Sequence, residues 1–369
     1  MDRAQSDRHD SSTYAAAGVD SVAEETGLES LLGWVGKSLG LRQGLGASKL
    51  PIGYFAAVVD IGHETGLAIS TDGVGTKLLV AQMMNKYDTV GIDCVAMNVN
   101  DVLCVGAEPV SLVDCISVQE ANPYLLAEIG KGLYEGARLA NVTIPGGEIA
   151  QIRDIIKGVR EGYGFDLVGT CVGLVPLSKV IIGQDVQPGD VVVGLRSSGI
   201  HSNGLTLARD ILFKKRQIDP NEYVPELGRA AGEEILEPTR IYVAEVVEML
   251  RSKLSIKALI HVTGDGFLNL TRVAADVGFV IDSLPPPHPV FTLIQRWGQV
   301  ADEEMFRVFN MGIGFCVVTS PGDADAVVAI AQRHGVEAFK IGHATADPEK
   351  KIVLPAQGLI GKRDSFYRG

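Results

Sequence analysis

Strand-like apolar runs and helix-period stretches alternate from residue 54 to residue 347, and this alternation limits the chain to an α/β or α+β architecture. YFAAVVDI (54–61) and GLAIST (66–71) read as two strands around a turn at Gly62-His63-Glu64. The stretch 87–107 has the length and pattern of a helix ending at Gly106, and PVSLVDCISV (109–118) is a strand. Residues 122–140 form an amphipathic helix with Pro123 in its first turn. VTIPGGEIA (142–150) is a short strand with a glycine turn, and FDLVGTCVGLV (165–175) is another strand. In the second half, strands at 191–195, 256–264, 278–283, 312–320 and 338–347 interleave with helices at 204–214, 238–253 and 323–335.

A chain of 369 residues is too long for one ordinary core. The segment PLSKVIIGQDVQPGD (176–190) reads as the boundary, giving a flexible tail over 1–13, an N-terminal domain over 14–176 and a C-terminal domain over 177–369. Hydrophobic residues make up 46%, enough for two cores, and the 43 glycines exceed the usual share of about 7%. Such an excess fits many tight strand–helix turns and backbone that approaches a ligand closely.

The net charge of −12 argues against nucleic-acid or membrane partners. It leaves room for an anionic small substrate, which a few cations, backbone amides or a metal can hold. The five cysteines form no CxxC pair, and the first dozen residues carry no apolar leader core. Both features predict a cytoplasmic protein with reduced thiols.

Five glycine-marked junctions carry the polar chemistry. In STDGVGTK (70–77), Asp72 sits between a strand and two glycines. A carboxylate there suits a hard cation such as Mg²⁺, Gly73 and Gly75 let amides turn toward an anion, and Lys77 can neutralise phosphate. The same residues also suit a plain polar turn with a helix starting at Thr76. Asp93 and Asn100 lie seven residues apart, so they share one helix face about 10 Å long, with Asp101 beside it. Buried carboxylates in that apolar setting need a partner, and a metal is one. Glu148 follows two glycines in PGGEIA, where a turn is the simpler reading. In SSGIHSNG (197–204), a strand–loop–helix junction gathers free amides; Ser202 or Asn203 can cap the helix, whereas His201 is less easily explained by capping. The fifth, HVTGDGF (261–267), pairs a strand end with a Gly-Asp-Gly turn. No nucleophile dyad and no Cys/His metal set appears, so the pattern favours metal-assisted nucleotide-phosphate chemistry over acyl transfer or redox work.

The order of these motifs, with AGVD (17–20), DTVGIDCVAMNVNDVLCVGAEP (88–109), EPTRIYV (237–243) and EEMFRVFNMGIG (303–314), closely resembles the phosphoribosylformylglycinamidine cyclo-ligase family, also called AIR synthetases, from about residue 14 to 355. The resemblance implies a two-domain α/β (α+β) fold whose N-terminal domains bind ATP and pair into a shared β-barrel in a homodimer. It implies ATP-driven ring closure of formylglycinamidine ribonucleotide to 5-aminoimidazole ribonucleotide in purine synthesis. Carried onto this chain, it puts Asp72, Asn100 and Asp101 on Mg²⁺-ATP, and Gly73, Gly75, Thr76, Lys77, Asp93 and Glu148 on or near the nucleotide. Lys77, His201 and Asn203 become the catalytic candidates.

Some positions depart from the family's usual pattern: Gln151 and Arg153 stand for a carboxylate and a proline, Tyr54 for a glycine, and Asp265 for the middle of three glycines. A nucleotide-binding paralogue with another substrate or a regulatory role is the alternative reading. Selenophosphate synthetases are set aside because no cysteine precedes Cys94, and the hydrogenase-maturation dehydratases because the chain ends SFYRG, without their C-terminal cysteine. Thiamine-monophosphate kinases lack the EPTRIY stretch.

Overall fold

The structure is a computed structural model that describes residues 13 and 21–369. The tail expected over 1–13, apart from Thr13, and the AGVD motif lie outside the described residues. Helix α1 (Ser21–Val35) precedes the first sheet. Strands β1 (Ala57–Asp60) and β2 (Thr65–Gly73) pair as a hairpin, Ala57 opposite Ile69. The expected turn is there: Gly62, His63 and Glu64 all have positive φ, and Asp60 Oδ1 accepts the Gly62 N–H at 2.8 Å. Then come α2 (Lys77–Met84), α3 (Val90–Leu103), β3 (Glu108–Val118), α4 (Pro123–Ala140), β4 (Gly147–Gln151) and β5 (Phe165–Pro176). The sheet order is β1-β2-β5-β3-β4, with only β3–β4 parallel.

Helix α3 covers one face of that sheet, and α4 packs against α3. They pack backbone to backbone because a Cβ on Gly91 would stand 2.2 Å from the Leu133 nitrogen. Asn122 starts α4 by accepting the N–H groups of Tyr124 and Leu125 at 3.0 and 3.3 Å.

The second half opens with β6 (Val191–Arg196), α5 (Leu205–Arg209), which runs into a π turn, the short pair β7 (Tyr223–Val224) and β8 (Arg229–Ala230), α6 (Ala231–Ile235) and α7 (Val243–Arg251). It continues through β9 (Ile256–His261), β10 (Gly278–Ile281), α8 (Pro289–Gly298), α9 (Asp302–Val308), β11 (Ile313–Thr319) and α10 (Ala324–Arg333). Strands β12 (Ala338–Thr345), β13 (Ile352–Leu354), β14 (Leu359–Lys362) and β15 (Ser365–Arg368) complete an eight-stranded sheet, ordered β15-β14-β13-β10-β12-β6-β11-β9. All seven residues of β11 are buried, so its run reads as continuously apolar rather than alternating.

One expected helix is shorter than its sequence pattern. Residues 238–242 are not helical, and α7 begins only at Val243. The N–H groups of Thr239 and Tyr242 go instead to Asp93 and Asn100 of the first half. Residues 237–242 therefore form an extended strap across the seam between the two halves.

Candidate active site

The strap, the 197–204 loop and the C-terminal end of β2 meet at that seam. Lys77, the first residue of α2, is fully buried, with Nζ 2.8 Å from Asp93 Oδ1 and donating to the Glu237 carbonyl at 2.6 Å. Asp93 Oδ1 also accepts the Thr239 N–H and hydroxyl, both at 2.7 Å, and the Ser202 hydroxyl at 3.1 Å. Its Oδ2 is enclosed with no partner among the described residues. Two charges removed from water survive only with such dense compensation. Asn100, two turns along α3, gives Nδ2 to the Arg240 carbonyl at 2.9 Å and takes the Tyr242 N–H at 3.1 Å. The face that Asp93 and Asn100 share thus grips the strap, and Lys77 and Asn100 have their polar atoms engaged in the seam.

Asp72 sits in β2 one residue before its end. Burial, and then the charge of Asp101, push its carboxyl up to about 6, while the Gly73 N–H, 2.7 Å from Oδ1, works the other way. Asp101 Oδ1 lies 2.8 Å from Nδ1 of the buried His261, at the end of β9. Asp72 and Asp101, with His261 from the second half bonded to Asp101, therefore form a group of two acids and an imidazole. His261 was not among the site residues read from sequence; the available signal was its place directly before the Gly-Asp-Gly turn. Among the described residues, no three His, Cys, Asp or Glu side chains are arranged to hold a metal by themselves. Asp72 and Asp101 are the two carboxylates of this group that could hold a Mg²⁺ ion, which commonly takes one or two carboxylates together with phosphate and water.

Gly75 turns the backbone at φ 71°, whereas Gly73 stays in β2 and gives its N–H to Asp72. Thr76 makes no side-chain cap and instead lies 3.2 Å, hydroxyl to hydroxyl, from Thr206. Glu148 is exposed on the edge strand β4, opposite Cys115. Across the sheet, Asp72, Gly169, Asp114 and Gly147 are in register, so Glu148 stands next to a row three strands, about 14 Å, from Asp72. Asp114, whose carboxyl burial pushes up, adds an acid in that row that sequence reading passed over.

In the 197–204 loop, neither Ser202 nor Asn203 caps α5: the cap residue is Gly204, in the left-handed region. Ser202 is held by Asp93, and its hydroxyl lies 3.0 Å from that of Thr239. Asn203 faces the Gly-Asp-Gly turn, its Oδ1 3.4 Å from where a Cβ on Gly264 would stand. His201 is buried, with Nε2 turned to backbone N–H groups of the loop and the strap.

The unusual residues are structurally accommodated. Asp265 pairs with Arg272 at 3.0 Å, and that guanidinium lies over Phe55 at 4.8 Å, beside Tyr54. Arg153 pairs with Glu120 and Glu161 at 3.1 and 3.0 Å, tying down its own loop.

Residues 53–175 match the N-terminal domain, and residues 187–355 the C-terminal domain, of the AIR synthase related proteins, which defines the class. The phosphoribosylformylglycinamidine cyclo-ligase of Methanothermobacter thermautotrophicus is 46% identical over 344 residues, 93% of this chain and 97% of that protein. The enzyme of the same name from Methanocaldococcus jannaschii is 47% identical over 351 residues, 95% and 96% of the two chains. The chain belongs to the phosphoribosylformylglycinamidine cyclo-ligase family. In fold it also resembles thiamine-monophosphate kinase from Stenotrophomonas maltophilia K279a, with a TM-score of 0.59, 18% identity, and 86% and 94% of the two chains covered.

Proposed function

We propose that this protein closes the imidazole ring of formylglycinamidine ribonucleotide, consuming ATP and releasing ADP, phosphate and 5-aminoimidazole ribonucleotide. The observation that carries the reading is 46–47% identity to cyclo-ligases along more than nine-tenths of the chain. The γ-phosphoryl group passes to the formyl oxygen. A substrate nitrogen then attacks the formyl carbon, the C–O bond breaks, phosphate leaves, and the nitrogen gives up a proton. Turning a poor oxygen leaving group into phosphate is the use made of ATP.

Asp72 and Asp101 are the residues to hold Mg²⁺ with the nucleotide. Two carboxylates close enough for one to raise the other leave a place for a divalent cation. Bound there, the cation would neutralise phosphate charge as the phosphoryl group moves. Asp93 and Asn100 keep the seam closed behind that site. Lys77 reaches a phosphate only where the Glu237 carbonyl yields it. Asn203 flanks the site from the 197–204 loop, whereas Glu148, on β4, turns to the opposite face of the sheet from Asp72.

The N-terminal domain, ending near Pro176, is also the surface for homodimer formation. Val113 and Leu174, on the face of the sheet turned away from α3, are 43% and 42% exposed, an apolar surface suited to a second copy. The five cysteines are free thiols, in keeping with a cytoplasmic enzyme, and no helix among the described residues is long and apolar enough to cross a membrane. No observation favours the altered paralogue.

The test is turnover with ATP, Mg²⁺ and formylglycinamidine ribonucleotide, following both products. Equimolar ADP and 5-aminoimidazole ribonucleotide are expected. ADP alone, or neither product, overturns the reading.

A further inference from the structure

His201 stands in the loop between β6 and α5 at φ 66°, a backbone region that costs a side-chain-bearing residue energy. It is 1% exposed. Its Nε2 accepts the Ser198 N–H at 3.2 Å and the Arg240 N–H at 3.4 Å. A ring nitrogen that accepts carries no proton, so the imidazole is the neutral tautomer with hydrogen on Nδ1. Burial first, and then His261, Lys77, Arg240 and His288 nearby, hold the group well below the ordinary histidine range. Nδ1 is itself enclosed, with no partner among the described residues. One nitrogen has thus spent its lone pair, and the other offers its proton to nothing.

The surroundings are built to this ring. A Cβ on Gly314 would lie 2.4 Å from His201 Cε1 and 2.2 Å from the Tyr242 hydroxyl, so only glycine leaves room. Asn310 fixes the loop by donating to the Gly199 and Ile200 carbonyls at 2.9 and 3.1 Å. Ser198 donates its hydroxyl to the Pro238 carbonyl at 2.5 Å. The two segments that His201 joins also carry the C-terminal donors to Asp93. Ser202 follows it directly, and Arg240 is next to Thr239.

The geometry points to His201 as a positioning residue: its neutral imidazole accepts one backbone N–H from each segment, sets Ser202 and Thr239 on Asp93, and carries no proton in the reaction. The inference rests on the function proposed above only for its activity readout.

Three variants and two spectroscopic readouts test it. In His201→Gln the amide oxygen can take the place of Nε2 as acceptor; in His201→Ala nothing does. Turnover by the unmodified protein is measured first, because its failure refutes the proposed function and leaves the spectroscopic tests standing. We expect His201→Ala to lower kcat about tenfold or more and His201→Gln to stay within about threefold, with an unchanged pH profile. Amide exchange at Ser198 and Arg240 should quicken in His201→Ala and return in His201→Gln. Nitrogen-15 spectra should show one neutral, Nδ1-protonated ring from about pH 5.5 to 8.5. Gly314→Ala should quicken exchange at the same two amides with the imidazole retained. The inference fails if His201→Gln loses about 100-fold in kcat while its amide exchange matches the unmodified protein, or if the ring titrates within that range.

Discussion

Thr239 gives both its N–H and its hydroxyl to a single oxygen of Asp93, each at 2.7 Å, across 146 positions of sequence. The contact binds the two halves at the point where Lys77 is enclosed. Asp93→Asn keeps an acceptor for Thr239 but leaves the Lys77 ammonium buried without a countercharge, a loss of about 3–5 kcal/mol. Thr239→Val removes one hydroxyl donor and keeps the N–H, costing about 1–2 kcal/mol. Urea unfolding of both variants should give that order; equal effects would mean that the ion pair is not what the seam depends on.

Asp72 exchanges stability for chemistry. Its carboxyl is raised from the ordinary 3.8 to about 6, so the folded state holds a proton that the unfolded chain has already released. Stability from this group therefore falls as pH climbs through that window, by at most about 3 kcal/mol and by less where water reaches the carboxylate. Asp72→Asn retains the acceptor for the Gly73 N–H. It should unfold later than the unmodified protein at pH 7.5, match it near pH 4, and lose about 100-fold or more in turnover. A variant both destabilised at pH 7.5 and active would refute the assignment.

Glu245 gives a second pH effect away from that site. It is 2% exposed on α7, its Oε1 has no partner among the described residues, and burial lifts the carboxyl from 4.5 to about 7. The nearby His334 and Arg240 pull it back only in part. Ionising it destabilises the fold as pH rises from about 4.5 through 7. Glu245→Gln should gain up to about 3 kcal/mol at pH 8, and the gain should fade toward pH 4.5. A gain that does not vary with pH would point to packing rather than charge.

His261 orients Asp101 and is placed to tune cation binding from behind. His261→Ala should raise the Mg²⁺ concentration for half-maximal turnover about 10- to 100-fold, with kcat largely recovered at saturating Mg²⁺. An unchanged Mg²⁺ dependence would remove Asp101 from the cation site.

Much of this protein is legible residue by residue. The hairpin at Gly62-His63-Glu64, the Asn122-Pro123 start of α4 and the long apolar run of α3 each follow from neighbours within a few positions. Turn chemistry, capping and periodicity are local, and the α/β alternation is their sum. So was the cluster of Asp72, Gly73 and Gly75, because a strand ending in an acid and two glycines is unusual by itself.

The partners of those residues were decided elsewhere. The pattern at 238–253 is helical, yet the strap stays extended because Asp93 and Asn100 take N–H groups that a helix would have used. Lys77 looked free to meet phosphate, and the fold encloses it. His201 was a catalytic candidate that capping did not explain, and two backbone N–H groups occupy its acceptor nitrogen. Strand register brought Asp114 into the row of Asp72, and packing of the two halves brought His261 onto Asp101, neither of which a short stretch records. Sequence determined which groups exist and where the chain turns. Tertiary structure decided which of them still face water, because a hydrogen bond or ion pair across a hundred residues depends on the position of the whole fold.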